Sequence, residues 1–289
     1  MYILFSDTDT DITPVMAEEF GYHLISMPYT IKDKTVYPYK DFTEFDAHTF
    51  YETLRGGVLP TTSALNPYDY VTIFEPFLKE GNDILYVHFS RAMSGTFNSL
   101  NIAMEELSEK YPNNHIHLID CKAITIGALN IVLEIGELYK QGKSIEEIEE
   151  WAKENVDKFA VYFFADDLKF FAKSGRVGGF SAFMGNAFGI KPIIYMGSDG
   201  KMTSVGKAKG RKNAIDSLIG YVESLGEDIK NHRIIIGHAD AMYLAEKVKE
   251  KLVEKFGDDL NIMYVDVNPT AGSHCGPDTV GISFHAIHR

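Results

Sequence analysis

Short apolar runs alternate along the chain with longer stretches in which apolar positions recur every three or four residues, and this alternation predicts strands and helices packed in layers. Tyr2 to Ser6 reads as a strand. Thr13-Pro14 opens a short helix closed by Gly21, with the hydroxyl as cap and proline at the first helical position. His23 to Ile31 and Lys34 to Tyr37 read as extended. A helix from about Glu44 to Arg55 stops at Gly56-Gly57, and another runs from Asn66-Pro67 to Gly81. Asp83 to Ser90 is then a buried strand, followed by a helix over Gly95 to Tyr111, a strand over His115 to Asp120 and a mostly apolar helix over Ala123 to Gln141. Strand-helix-strand order predicts a parallel sheet covered on both faces.

Ser144 and Glu147 have capping-box spacing and begin an acidic helix reaching about Lys158, which marks a candidate boundary. Beyond it, Ile190 to Tyr195 and Met202 to Ala208 flank Gly197-Ser198-Asp199-Gly200, a hairpin signal because Asp-Gly readily supplies turn dihedrals. Helices over Arg211 to Leu225 and Met242 to Phe256 surround the strand Arg233 to Gly237. The fold class is therefore α/β in two domains. Residues 1–157 form a parallel-sheet domain and 158–289 a domain with a mixed, partly antiparallel sheet, with part of 57–82 expected to pack on the second.

At 289 residues and 45% apolar, the chain can build a substantial core. A net charge of −13 repels phosphate backbones and anionic membrane surfaces, and no basic run offsets it, so nucleic-acid binding is not expected. Two cysteines, Cys121 and Cys275, are too few for a disulfide framework and fit a reducing cytosol. The N-terminus reaches Asp7 after a few apolar residues, unlike a secretory signal, and no apolar run approaches the roughly 20 residues that cross a bilayer. A cytoplasmic protein without a transmembrane segment is expected.

Three small polar loops could carry chemistry. Ser90-Arg91-Ala92-Met93-Ser94-Gly95-Thr96 follows a strand and precedes a helix, where orphan amides and the helix dipole attract anions; Ser94 or Thr96 could bond a carboxylate there, or Ser94 could simply cap the helix. Thr61-Thr62-Ser63 offers successive hydroxyls ahead of a helix start. Thr270 to Pro277 puts His274 in a glycine-rich loop after a strand, where backbone can approach a ligand closely. Arg176 and Arg211 lie in glycine-bounded segments, either as solvated surface groups or as forks for a carboxylate or phosphate.

These segments, with Ser6-Asp7-Thr8-Asp9-Thr10-Asp11-Ile12 after the first strand, Leu168 to Arg176, Lys191-Pro192-Ile193-Ile194, Lys209-Gly210-Arg211-Lys212 and Gly272-Ser273-His274-Cys275-Gly276-Pro277, follow one another in an order that resembles the DegV family from end to end. The resemblance implies a fatty acid held between two α/β domains, its tail in an apolar tunnel, and no catalysis by the chain itself. It implies that Thr62, Ser94 and His274 contact the carboxylate, with Ser63, Gly95 and Thr96 in support, and that a separate ATP-dependent kinase receives the lipid and makes an acyl phosphate for phospholipid synthesis. No cofactor or metal is implied. Phe180, Phe183, Met184, Phe188 and Ile190 are candidates for the tunnel wall, against the alternative of ordinary core. Arg91 and Met93 depart from a loop that is richer in serine and glycine in the family.

A rival reading comes from another class. Asp7-Thr8-Asp9 after a strand also resembles the nucleophile motif of haloacid-dehalogenase-type phosphatases, with Asp166-Asp167 as magnesium ligands; the alternative is acids that cap and bond local amides.

Overall fold

The computed structural model describes residues 2–178 and 189–289. Its strands are β1 (Tyr2–Asp7), β2 (Tyr22–Ile25), β3 (Tyr29–Ile31), β4 (Lys34–Val36), β5 (Thr61–Thr62), β6 (Asp83–His88), β7 (Ile116–Asp120), β8 (Phe159–Phe164), β9 (Val177–Gly178), β10 (Ile190–Met196), β11 (Met202–Lys209), β12 (Ile234–His238), β13 (Ile262–Asp266) and β14 (Val280–His285). The helices are α1 (Pro14–Phe20), α2 (Ala47–Arg55), α3 (Pro67–Lys79), α4 (Thr96–Lys110), α5 (Ile126–Lys140), α6 (Ile145–Asn155), α7 (Leu168–Ser174), α8 (Gly210–Leu225), α9 (Met242–Phe256) and α10 (Pro269–Cys275).

The first half forms an all-parallel sheet in the order β2-β1-β6-β7, as strand-helix alternation predicts. The chain leaves β1 toward β2 on one side and β6 toward β7 on the other, so β1 and β6 flank the topological switch point, whose crevice at the strand carboxyl ends is the usual ligand position of such sheets. The second half forms a mixed sheet, β13-β12-β14-β8-β10-β11-β9, and the antiparallel β10–β11 hairpin turns at Gly197 to Gly200. Among the described residues no helix is long and apolar enough to cross a membrane.

Capping fixes the helix starts. Glu147 N–H donates to Ser144 Oγ at 3.3 Å and Ser144 N–H to Glu147 Oε2 at 2.8 Å, closing the capping box, and the Asn66 and Asp69 pair does the same for α3. Helix α5 is buried on nearly every side: it packs on β8, β12 and β14 and also meets α1 and the 3-10 turn Thr8–Thr10. It therefore ties the segment after β1 to the mixed sheet.

One expectation needs correcting. The segment around His274 is a short helix, α10, not a loop: Pro269 occupies its first turn and the Asn268 side chain accepts from Ala271 N–H at 2.9 Å. Both cysteines are buried and unpaired.

Candidate functional site

A cavity opens at the switch point, between the carboxyl ends of β1 and β6, strand β5, helix α10 and the mixed sheet. Its volume is about 170 Å³, above the roughly 150 Å³ of an apolar hole that stays dry and accepts benzene. Phe163, Val161, Ile126, Gly237 and Gly281 wall one part of it. The glycines, paired in register on β12 and β14, let Ile126 approach: a Cβ on Gly237 would stand 2.6 Å from Ile126 Cγ2. The open end meets a surface depression through Met93, Ser94, Gly95, Arg176 and Met202.

Thr62, Ser63, Ser94, Gly95, Thr96 and His274 all line this one cavity, although they come from three distant segments. Thr62 Oγ1 and His274 Nε2 are 2.9 Å apart, a hydrogen bond across 212 sequence positions. Burial, reinforced by the Arg176 charge, pushes the His274 imidazole down to about 4, so it is neutral near pH 7. Ser94 Oγ accepts from Thr96 N–H at 3.2 Å, just ahead of the Gly95 N-cap of α4, and its own O–H is still able to donate. Thr96 is embedded more deeply, with Oγ1 accepting from Leu65 N–H at 3.2 Å and 3.0 Å from the Tyr70 hydroxyl. The donor set is thus neutral hydroxyl and imidazole, with exposed Arg176 at the rim.

Other expected residues fall elsewhere. Arg211 is not among the residues lining this cavity: its guanidinium is bidentate to Asp166, at 2.8 and 3.0 Å, and also bonds Asp278 and Tyr243. Ile190 pairs with Lys209 on β10 and is not part of the wall. Phe180, Phe183, Met184 and Phe188 lie outside the described residues.

The acids of the rival reading are engaged locally. Asp7 is fully buried and accepts from Tyr86 O–H (2.9 Å), Phe89 N–H (3.1 Å) and Asp9 N–H (3.0 Å). Asp166 pairs with Lys191 and Arg211. Among the described residues, the one trio of metal-ligating side chains with converging atoms is His48, Glu52 and Asp240, so Asp7, Asp9, Asp166 and Asp167 form no such trio.

Burial pushes the Asp7 and Asp11 carboxyls up to about 7 and Asp9 well up. An unfolded aspartate ionises near pH ~3.9, so on account of these acids the folded chain holds extra protons and loses stability as pH rises from about 4 to about 7. His88 and His274, both pushed down by burial, act with the opposite sign: unfolded imidazoles take up protons below about 6.5, so the histidine contribution is lost as pH falls. Asp11→Asn keeps an acceptor for Asn268 N–H and Nδ2, 2.9 and 2.7 Å from Asp11 Oδ1, and removes one acid from this balance. Its stability relative to the parent is expected to rise between pH 5 and pH 8 in urea unfolding; a difference independent of pH would contradict the assignment.

A family model described as "Uncharacterised protein, DegV family" matches residues 3–286. The chain belongs to the DegV family. A DegV domain-containing protein of Clostridium perfringens is 34% identical over 284 residues, covering 98% of this chain and 97% of the relative. The same fold occurs in the DegV family protein of Thermus thermophilus whose fatty acid binding its name records (TM-score 0.87, 22% identity, 99% of both chains). It occurs too in DegV of Bacillus subtilis, named as a fatty acid binding protein (TM-score 0.80, 24% identity, 99% of both chains).

The cavity of this DegV protein also includes residues that local patterning misses as site residues: Thr125, Thr270 and the strand glycines Gly237 and Gly281. Glycine inside a strand is itself a sign of close backbone approach, and is the one local signal that pointed there.

Proposed function

We propose that this chain binds one long-chain fatty acid, with its carboxylate at Thr62, Ser94 and His274 and its tail along the apolar wall. In this reading the lobes 1–157 and 158–289 hold the lipid between them, as a cytoplasmic carrier. The observation that carries the proposal is the Thr62–His274 hydrogen bond at the cavity, a neutral pair with one donor left over for a ligand, beside the Ser94 hydroxyl. Ionised carboxylates take strong bonds from such donors, and neutral donors hold them without a fixed cation that would resist release. Fatty acid binding by the Thermus thermophilus and Bacillus subtilis relatives supports the same reading.

The tail supplies most of the affinity. About ten methylenes buried at roughly 0.8 kcal/mol each contribute about 8 kcal/mol, enough for affinity of micromolar order before the head group is counted, less the cost of association. We further propose that the lipid is presented to a separate ATP-dependent kinase that forms an acyl phosphate, meeting the rim where Arg91 and Arg176 are exposed.

Calorimetric titration of hexadecanoic acid into delipidated chain tests the binding step. Saturation at one acid per chain is expected, with Ser94→Ala binding several-fold more weakly but unfolding at the same urea concentration. Absence of binding would sink the proposal, and unchanged affinity in Ser94→Ala would remove Ser94 from the head-group site.

A further inference from the structure

The cavity wall holds a further polar group besides Thr62, Ser94 and His274. Asp9 lines the cavity, is 5% exposed, and its Oδ1 has no hydrogen-bond partner among the described residues. An unpartnered buried polar atom costs about 1–3 kcal/mol, so a donor that a ligand brought within reach of this carboxyl would recover that cost.

Two hydroxyl residues flank this carboxyl. Thr270 stands beside Asp9 and donates its hydroxyl to Met27 O at 3.0 Å, which leaves its oxygen as an acceptor. It precedes His274 by four residues on α10, about 6 Å along a helix axis at about 1.5 Å per residue. Thr125 donates its backbone N–H to Asp9 O at 2.8 Å and holds φ at 52°, a left-handed conformation that β-branched side chains rarely adopt. Both threonines line the cavity, and strain of this kind concentrates at ligand sites. Ile126, next to Thr125 in the chain, reaches the Gly237–Gly281 floor, while Thr270 shares α10 with His274, so the two threonines adjoin the apolar end and the head-group helix.

We propose that Asp9, Thr125 and Thr270 form a second polar contact inside the cavity, which takes a hydroxyl carried on the acyl chain near its carboxyl end. The preferred ligand class is then a hydroxylated long-chain fatty acid. This rests on the fatty-acid reading and narrows it. A hydroxyl fits because it both donates and accepts, matching a carboxyl oxygen in want of a donor and threonine hydroxyls beside it. A second anionic group does not fit, since Arg176 is the one cationic side chain among the described wall residues and it stands at the rim. Burial and the neighbouring Asp7 and Asp11 push the Asp9 carboxyl up, which lets it hold a proton and donate as well.

Calorimetric titration of the delipidated full chain with hexadecanoic acid and with 3-hydroxyhexadecanoic acid is the test. The parent chain is expected to bind the hydroxy acid about ten-fold or more tightly than the plain acid, the value of one hydrogen bond to an acidic group. In Asp9→Leu the order should reverse. Equal affinities in the parent chain, or tighter binding of the plain acid, would overturn the inference while leaving the fatty-acid reading standing. So would an Asp9→Leu variant that weakens both acids alike, which would make Asp9 a head-group contact. If neither acid binds, the fatty-acid reading fails and takes this inference with it. Should circular dichroism show Asp9→Leu unfolded, Asp9→Ala carries the same comparison, and the ratio in the parent chain needs no variant.

Discussion

His274→Ala is expected to bind long-chain fatty acid about ten- to one-hundred-fold more weakly than the parent chain, with little change in stability. The imidazole is neutral and bonded to Thr62 Oγ1, so its removal takes away the partner that orients the Thr62 hydroxyl and breaks up the donor pair offered to the carboxylate. A hydrogen bond to a charged group contributes about 1.5–3 kcal/mol, and each 1.4 kcal/mol is about a factor of ten in affinity. The residue is only partly buried and near the cavity, so truncation leaves little empty core behind it. Competition against a fluorescent fatty acid checks the loss, and an unchanged dissociation constant would remove His274 from the site.

The largest effect on stability is expected at Gly276, where alanine should destabilise the chain by about 3 kcal/mol or more. Gly276 holds φ 73° and ψ 173°, a region reserved almost entirely for glycine, where other residues incur about 1–3 kcal/mol of strain. In addition, a Cβ there would stand 2.2 Å from Phe170 Cδ2, and Phe170 is a fully buried core side chain. Overpacking of that kind adds about 1–3 kcal/mol. Since Gly276 terminates α10, which carries His274, binding should weaken together with stability. Urea unfolding of Gly276→Ala at the parent's midpoint would contradict this account of the turn.

The two helices that begin with Asn-Pro show how far local sequence reaches. Asn66-Pro67 opens a long helix with an apolar face, so the start signal and the periodicity agree and α3 is readable. Asn268-Pro269 opens α10 with the same chemistry, but Gly272, Ser273 and Gly276 lower its helix propensity, and the segment reads as a loop. Tertiary packing decides it: Tyr51 stands so close that a Cβ on Gly272 would lie 2.4 Å from its hydroxyl, which donates to Val267 O at 2.8 Å.

The convergence of Thr62, Ser94 and His274 is likewise beyond any spacing rule, because it depends on how the parallel sheet meets the mixed one; the order of family motifs is what pointed to it. The apolar wall followed a different logic. Local richness in aromatics drew attention to Phe180 to Phe188, whereas the described wall comes from alternate positions of β8 and from strand glycines that face it. Asp9 belongs to the Asp7-Thr8-Asp9 run that also resembles a phosphatase motif, since a carboxylate after a strand looks alike in sequence whether it faces solvent, a metal or a closed cavity.

A crystal structure of the chain grown with hexadecanoic acid tests the central claim most directly. The account predicts one acid in the cavity, its carboxylate within hydrogen-bond distance of Thr62 Oγ1 and Ser94 Oγ and beside the His274 ring, and its methylenes against Val161, Phe163 and Ile126. Density for the acid elsewhere on the chain, or with its carboxylate at the Gly237–Gly281 floor, would contradict it.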